Sequence, residues 1–251
     1  MSRNLLYFCV FYNTDYILLL QEVFRSIDRC GGLDANTDIL ILTHPTYKSE
    51  IENAAKESNL VVQFFFIEFN SLFHSAMARL FLYEWAQIWN YDKILYLDTD
   101  ILINGVLSRM FQLPIEYGKL YTREEGTIGN PFWGGDLFDF STWDREMPGF
   151  TSGVLLFRNT TEIQDLFRSV IEHIHDDCFI KKMRVPDCLE QPYLIYNAYM
   201  QNKYDTQLLK EYVVNNAEGP ENKIIYHFPG GPGGFVNKYT KMLEFLKKLI
   251  A

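Results

Sequence analysis

The stretch Tyr91-Asp92-Lys93-Ile94-Leu95-Tyr96-Leu97-Asp98-Thr99-Asp100-Ile101-Leu102-Ile103-Asn104 decides how this chain is read. Residues 93–97 (KILYL) form a short apolar run that predicts a buried strand. That strand delivers Asp98, Thr99 and Asp100 to its carboxyl end, and the chain then turns apolar again. In an open α/β sheet, ligands collect beyond the carboxyl ends of the strands. Two carboxylates two residues apart on a bending chain can both reach one hard divalent cation, whose remaining oxygen sites suit a phosphate. Solvated acids capping a strand end are the bland alternative, but unpaired carboxylates between two apolar runs are costly. Both acids are expected to face solvent, so that Asp98→Asn or Asp100→Asn leaves the fold intact.

Upstream, the apolar runs 5–12, 38–43 and 60–67 read as three more strands. Between them, 16–30 (Leu19, Val23 and Ile27 at helical spacing, stopping at Gly31-Gly32), 47–58 and 72–89 read as helices. This rhythm predicts an α/β fold with a mostly parallel central sheet flanked by helices. After residue 105 it breaks. Residues 118–150, rich in glycine and aromatics, read as a long ordered loop. A strand at 150–157, helices at 161–176 and 188–201, and a short strand at 223–228 follow, the last running into Pro229–Gly234. The final fifteen residues read as an amphipathic helix with Tyr239, Met242, Phe245, Leu246 and Leu249 inward. With no repeat and no linker, 1–251 is expected to be one domain, with a first half at 1–105 and a second at 106–251.

Composition narrows the class. Of 251 residues, 48% are hydrophobic, which excludes intrinsic disorder. Lys and Arg number 23 against 32 Asp and Glu, a net charge of −9 that counts against a nucleic-acid binder. No stretch reaches the length of a membrane span, and the first apolar run lacks the flanks of a signal peptide. Cys9, Cys30, Cys178 and Cys188 are far apart and read as reduced, in a cytoplasmic protein. Asn159-Thr160-Thr161 fits a glycosylation acceptor, read as silent, with Asn159 a helix cap.

Two enzyme classes place an acidic pair after a strand. In haloacid-dehalogenase-type phosphatases the pair usually follows the first strand and works with a later Lys and a second acidic pair, for which only Asp176-Asp177 offers two adjacent Asp. The other class is the metal-dependent glycosyltransferases that use nucleotide sugars. Here the sequence resembles the glycogenin-like glycosyltransferase family 8, whose two-lobed, Rossmann-like fold is called GT-A. The resemblance rests on FYNTDY (11–16), AMARLFLYEW (76–85), YLDTD (96–100), GFTSGVLLFRN (149–159), LEQPYLIYNAY (189–199) and IIYHFPGG (224–231), in family-like order.

The resemblance implies a retaining transferase that moves a hexose from a UDP-sugar to an acceptor hydroxyl, with Mn²⁺ or Mg²⁺ held by Asp98, Asp100 and His227. An imidazole ligand favours manganese. Tyr16 either stacks on the base or only packs, and Asn13 either reads a base edge or caps the first helix. Arg79 pairs with the diphosphate or with Asp98, while Thr99, Ser152 and Gly153 line the donor site, the glycine allowing close approach of a sugar. The family's phosphate-binding Lys falls at Gly233 here, so Lys238, or backbone amides about Gly230, must serve. Glu190 and Gln191 stand where the family has Asp-Gln and are the catalytic candidates, with Asp187 the near alternative to Glu190. Asp136 joins them, in a loop whose Trp133, Phe138 and Trp143 suit sugar faces. The acceptor is a sugar, lipid or protein hydroxyl; a homodimer is admitted, through the aromatic loop or the last helix. A phosphatase, a non-catalytic nucleotide-sugar binding module and a scaffold are the rivals.

Overall fold

The computed structural model describes residues 3–30, 32–69, 71–230 and 234–250. The apolar runs of the first hundred residues become β1 (Arg3–Val10), β2 (Thr37–Thr43), β3 (Val62–Phe66) and β4 (Tyr91–Leu97), joined by α1 (Asp15–Arg29), α2 (Lys48–Glu57) and α3 (Leu72–Met77). β1 pairs in parallel with β2 and β4, and β2 with β3. Successive side chains point to opposite faces of a strand. Leu5 and Tyr7 therefore enter one apolar cluster, with Met77 and Leu80, and Leu6, Phe8 and Val10 the other, with Val23 and Phe24 of α1. Helices cover both faces, which is why these strands read as continuous apolar runs.

The second half adds β5 (Ile101–Ile103), α4 (Ser108–Phe111), β6 (Leu120–Tyr121), β7 (Glu124–Thr127), β8 (Pro148–Phe150), β9 (Val154–Arg158), α5 (Thr161–Ile174), α6 (Gln191–Met200), β10 (Tyr204–Asp205), β11 (Val213–Asn215), β12 (Ile225–His227) and α7 (Gly234–Ile250). The main sheet has the order β10-β6-β9-β4-β1-β2-β3, with β9 antiparallel to both its neighbours. A second sheet runs β11-β12-β5, and β7 pairs with β8 as a separate ribbon. β4 belongs to the first sheet and β5 to the second, so Asp98, Thr99 and Asp100 form the crossing between them. Backbone bonds pin that crossing from both sides: Asp98 N–H donates to Gly153 O at 2.8 Å, and Phe228 N–H to Asp100 O at 2.9 Å. The mixed, mostly parallel sheet flanked by helices is the GT-A architecture the sequence leads one to expect. The last helix packs as expected, with Met242 and Phe245 buried and Tyr239, Leu246 and Leu249 against them.

Three local expectations change. Helix 72–89 is α3 followed by 3₁₀ turns at Ala78–Glu84 and Ile88–Asn90. Arg79 and Leu82, three apart in the first of these turns, are both buried, as eclipsed positions of a threefold helix are when one face packs. The loop 118–150 contains β6, β7 and β8. The cap of α5 is Thr160, whose side chain accepts from Ile163 N–H, whereas Asn159 donates to the Ile88 and Tyr91 carbonyls. Of the Gly31-Gly32 stop, Gly31 lies outside the described residues, and Gly32 has φ 73° with its N–H on Ile27 O.

Candidate active site

Asp98 and Asp100 sit in unlike surroundings. The Asp98 side chain is 27% exposed and lies 3.2 Å from Arg79 Nη1; the Tyr96 hydroxyl donates to it. Asp100 is 3% exposed, with Lys238 Nζ at 2.5 Å and His227 Nε2 at 3.4 Å. Solvent exposure of both acids, expected from the strand-end position, therefore fails for Asp100, which the crossing carries inward under α7. Burial alone raises a carboxyl pKa, but the Lys238 and His227 charges outweigh it and hold Asp100 well below the usual carboxylate range. Burial correspondingly lowers Lys238 and His227, and the facing carboxylates outweigh it and raise both.

His227 ends β12, where the parallel register sets it beside Asn215 of β11. Its Nδ1 is 3.1 Å from Asn215 Oδ1. An amide oxygen only accepts, so Nδ1 carries a hydrogen, and it is in the neutral ring, the form that binds a cation, that Nε2 offers its lone pair. His227 Nε2 and Asp100 Oδ1 are buried without a hydrogen-bond partner; their approach is too poorly aligned to count as one. Buried polar atoms are rarely left so. Ligand atoms of Asp98, Asp100 and His227 lie within 4.8 Å of one another. A Cβ on Gly153 would stand 2.6 Å from His227 Nε2 and 2.7 Å from Asp98 Oδ2. What packs against this glycine is thus the imidazole and the carboxylate. Unpartnered acceptors of mixed O and N type, converging where only glycine fits, suit a divalent cation.

Arg79 is the hub of a second network. Its Nη1 donates to Ser152 O at 2.6 Å and Ser152 Oγ at 3.2 Å, its Nε lies 3.2 Å from Glu190 Oε1, and its guanidinium covers the Tyr96 ring at 4.7 Å. Burial opposes the charged forms of both partners. It raises Glu190, while the Asp98 and Glu190 carboxylates outweigh it for Arg79 and raise that pKa well above its ordinary value. Ser152 Oγ donates to Glu190 Oε1 at 3.1 Å. Gln191 is held at both ends, Oε1 accepting from Ser152 N–H at 2.9 Å and Nε2 donating to Phe132 O at 3.1 Å.

Two cavities meet here, sharing Arg79, Asp98, Asp100 and Lys238. The smaller, about 180 Å³, is lined also by Cys9, Phe11, Tyr16, Tyr96 and Thr99. The larger, about 810 Å³, adds Glu125, Trp133, Ser152, Gly153, Glu190, Gln191, His227 and Gly230. Of the candidate catalytic and binding residues, Asn13 and Asp136 line neither, and Phe138 and Trp143, expected to face a sugar, pack against Tyr199 instead. Asn13 is engaged with Asp15, accepting its N–H and donating to its carboxylate, while the N-cap position of α1 is Thr14. Asp136 is exposed beyond the Gly134-Gly135 turn. Gly230 needs no glycine for room, since a Cβ there would meet Lys238 at 3.6 Å. Of the PGGPGG run, 231–233 lie outside the described residues. Asp187 pairs with Arg184 at 2.6 Å on the rim. Asp176-Asp177 follows α5 and lines neither cavity; Asp177 is bonded to Lys181 at 2.8 Å. The second acidic pair of a phosphatase is therefore not assembled at Asp98. Sequence reasoning missed Tyr96, Glu125 and Asn215. Tyr96 was open to discovery, two residues before Asp98 on the same strand face; Asn215 needs the register of β11 against β12.

The family model of glycosyl transferase family 8 matches residues 42–232. No curated protein matches the chain. Among solved structures, the galactosyltransferase LgtC in complex with donor and acceptor sugar analogs is similar at 13% identity and TM-score 0.62, over 96% of each chain. Mouse xyloside xylosyltransferase 1 is similar at 14% identity and TM-score 0.61, over 91% of this chain and 98% of that one. The bifunctional glycosyltransferase WbbM is similar at 15% identity and TM-score 0.59 over all of this chain, which spans 52% of WbbM.

Proposed function

The chain belongs to glycosyl transferase family 8, and from that premise we propose that it moves a hexose from a UDP-sugar to an acceptor hydroxyl with retention, as a single glycogenin-like catalytic domain dependent on Mn²⁺. The observation that carries the reading is the convergence of Asp98, Asp100 and His227 on a space kept open by Gly153. When bound there, the cation supplies Lewis-acid neutralisation of the diphosphate leaving group. The imidazole ligand supports manganese over magnesium. The free cysteines support a reducing, cytoplasmic setting.

Each residue then has a physical task. Arg79 holds the Asp98 carboxylate in place and directs other donors to Glu190 and Ser152. Asn215 sets the His227 tautomer. Lys238 neutralises Asp100 in the free protein and, on a flexible stem at the start of α7, is placed to move to the diphosphate. Tyr16 and Phe11 give the smaller cavity an apolar wall for a base. Glu190 is engaged by Arg79 and Ser152, and Gln191 at both ends, so neither is a free nucleophile; this supports same-face attack, in which the acceptor proton passes to the departing phosphate oxygen. The test is UDP release from a panel of UDP-sugars with Mn²⁺ and with chelator. Slow hydrolysis of one donor, abolished by chelator, is expected; release that chelator leaves untouched overturns the metal assignment.

A further inference from the structure

Resting on that reading, we infer that Tyr96 selects which cation the site accepts: it ties up one oxygen of Asp98, so that this carboxylate meets the cation through the other alone. Tyr96 lies in β4 and Asp98 just beyond it, two residues apart, so both point to one face. The Tyr96 hydroxyl donates to Asp98 Oδ1. A phenol keeps its proton at neutral pH, which makes it the donor. Arg79 Nη1 lies 3.2 Å from the same oxygen, but its two hydrogens serve Ser152 O and Ser152 Oγ. Arg79 therefore gives Asp98 a charge, and the hydrogen bond comes from Tyr96. Oδ2 is turned to the cluster. It stands 2.7 Å from the place a Gly153 Cβ would take, and His227 Nε2 stands 2.6 Å from that same place.

Asp100 is divided in the same way, but by a movable group. Its Oδ2 is held by Lys238 at 2.5 Å, and its Oδ1 is buried without a partner. Lys238 has a flexible four-carbon stem and can withdraw. Tyr96 cannot. Its ring is 1% exposed, lies against the Tyr7 ring at 4.8 Å and is covered by the Arg79 guanidinium. Register sets Tyr7 beside Tyr96 across β1 and β4, and the Tyr7 hydroxyl donates to Arg79 O at 3.1 Å. The sheet thus fixes the direction in which the Tyr96 hydroxyl points. Small cations such as Mg²⁺ demand near-octahedral order, which one oxygen from each carboxylate suits. Ca²⁺ takes about six to eight oxygens at longer distances, often both from one carboxylate. An occupied Oδ1 denies Ca²⁺ that second oxygen and takes nothing from a smaller ion. Tyr96 is therefore a positioning residue whose effect is on selectivity.

Calorimetric titration of the full chain with UDP present tests this, using Mn²⁺, Mg²⁺ and Ca²⁺ on the wild type, Tyr96→Phe and Tyr7→Phe, each checked by a thermal melt. Tyr96→Phe keeps the ring against Tyr7 and Arg79 and removes only the hydroxyl. It is expected to lower the preference for Mn²⁺ over Ca²⁺ about tenfold, and that for Mg²⁺ over Ca²⁺ likewise. His227 is common to both proteins and cancels in the comparison. Tyr7→Phe removes the neighbouring buried hydroxyl and is expected to leave both preferences unchanged. Unchanged preferences in Tyr96→Phe overturn the inference, as does an equal shift in Tyr7→Phe, which would mark a general loosening. Ca²⁺ bound by the wild type as tightly as Mn²⁺ and Mg²⁺ also overturns it, whether or not the variant folds. A wild type that binds no cation counts against the metal reading itself; cations bound with preferences indifferent to Tyr96→Phe count against the role of Tyr96 alone.

Discussion

The cavity beside Tyr16 and the one beside Trp133 share a wall, yet they are built by opposite means. The smaller is assembled from the carboxyl ends of β1 and β4 and the helical segment that precedes β4, and its residues Cys9, Tyr96 and Asp98 follow strand periodicity. The larger is assembled from segments far apart in the chain, at 125–133, 151–153, 187–191 and 227–230, brought together by β7–β8, the start of α6 and β12. Parallel strands surrender their ends to one edge whatever else the chain does. Loops meet only where specific bonds tie them, here Gln191 between Ser152 and Phe132. A region built the first way is generic to the fold, and one built the second way is where relatives can differ.

The shared wall is the place to break both cavities at once. Gly153→Ala drives a methyl group into His227 and Asp98 and is expected to weaken Mn²⁺ binding roughly 100-fold, read by titration with a melt to confirm folding. The two carboxylates should then separate by stability. Asp100→Asn leaves Lys238 and His227 facing no charge in a buried place and is expected to cost about 2–3 kcal/mol, against about 1 kcal/mol for the part-exposed Asp98→Asn; equal losses in denaturant melts would show that burial does not distinguish them. Lys238→Met removes the cation now resting on Asp100. Mn²⁺ should bind about tenfold tighter without nucleotide and UDP more weakly; unchanged metal affinity would mean that Lys238 does not compete.

The smallest effect lies at the other end of the sheet, away from both cavities. Partial burial pushes the Asp38 carboxyl up, but hydrogen bonds from Arg3 and Tyr91 outweigh it and hold it below its ordinary 3.8. Its contribution is therefore present above that value and fades as pH falls toward the lowered one. Asp38→Asn should lower Tm by about 2 °C or less near neutrality and flatten the acid limb between those two pKa values. A larger loss would show that the amino ends of the strands matter more than the exposed geometry allows.

This contrast also explains what was legible in the sequence. KILYLDTD announces a strand with acids at its end, and the βαβ rhythm before it fixes the sheet, because both follow from local periodicity. His227 came from the resemblance of IIYHFPGG to the family's loop, at the end of a short strand that runs into a glycine-rich turn. Asn215 and Glu125 were not, since nothing local marks residues that matter only through pairing or loop closure. Asp136 failed for the same reason in reverse: an acid among aromatics looks functional, but the Gly134-Gly135 turn leaves it outside. Asp100 was taken as solvent-facing because sequence does not show that α7 folds over it.

The most direct measurement of the central claim is pulsed electron paramagnetic resonance of Mn²⁺ added with UDP. The account predicts a coupling from one imidazole nitrogen in the wild type, absent in His227→Gln. Bound Mn²⁺ with no nitrogen coupling, or a coupling that survives His227→Gln, would contradict the assignment of Asp98, Asp100 and His227 as one metal site.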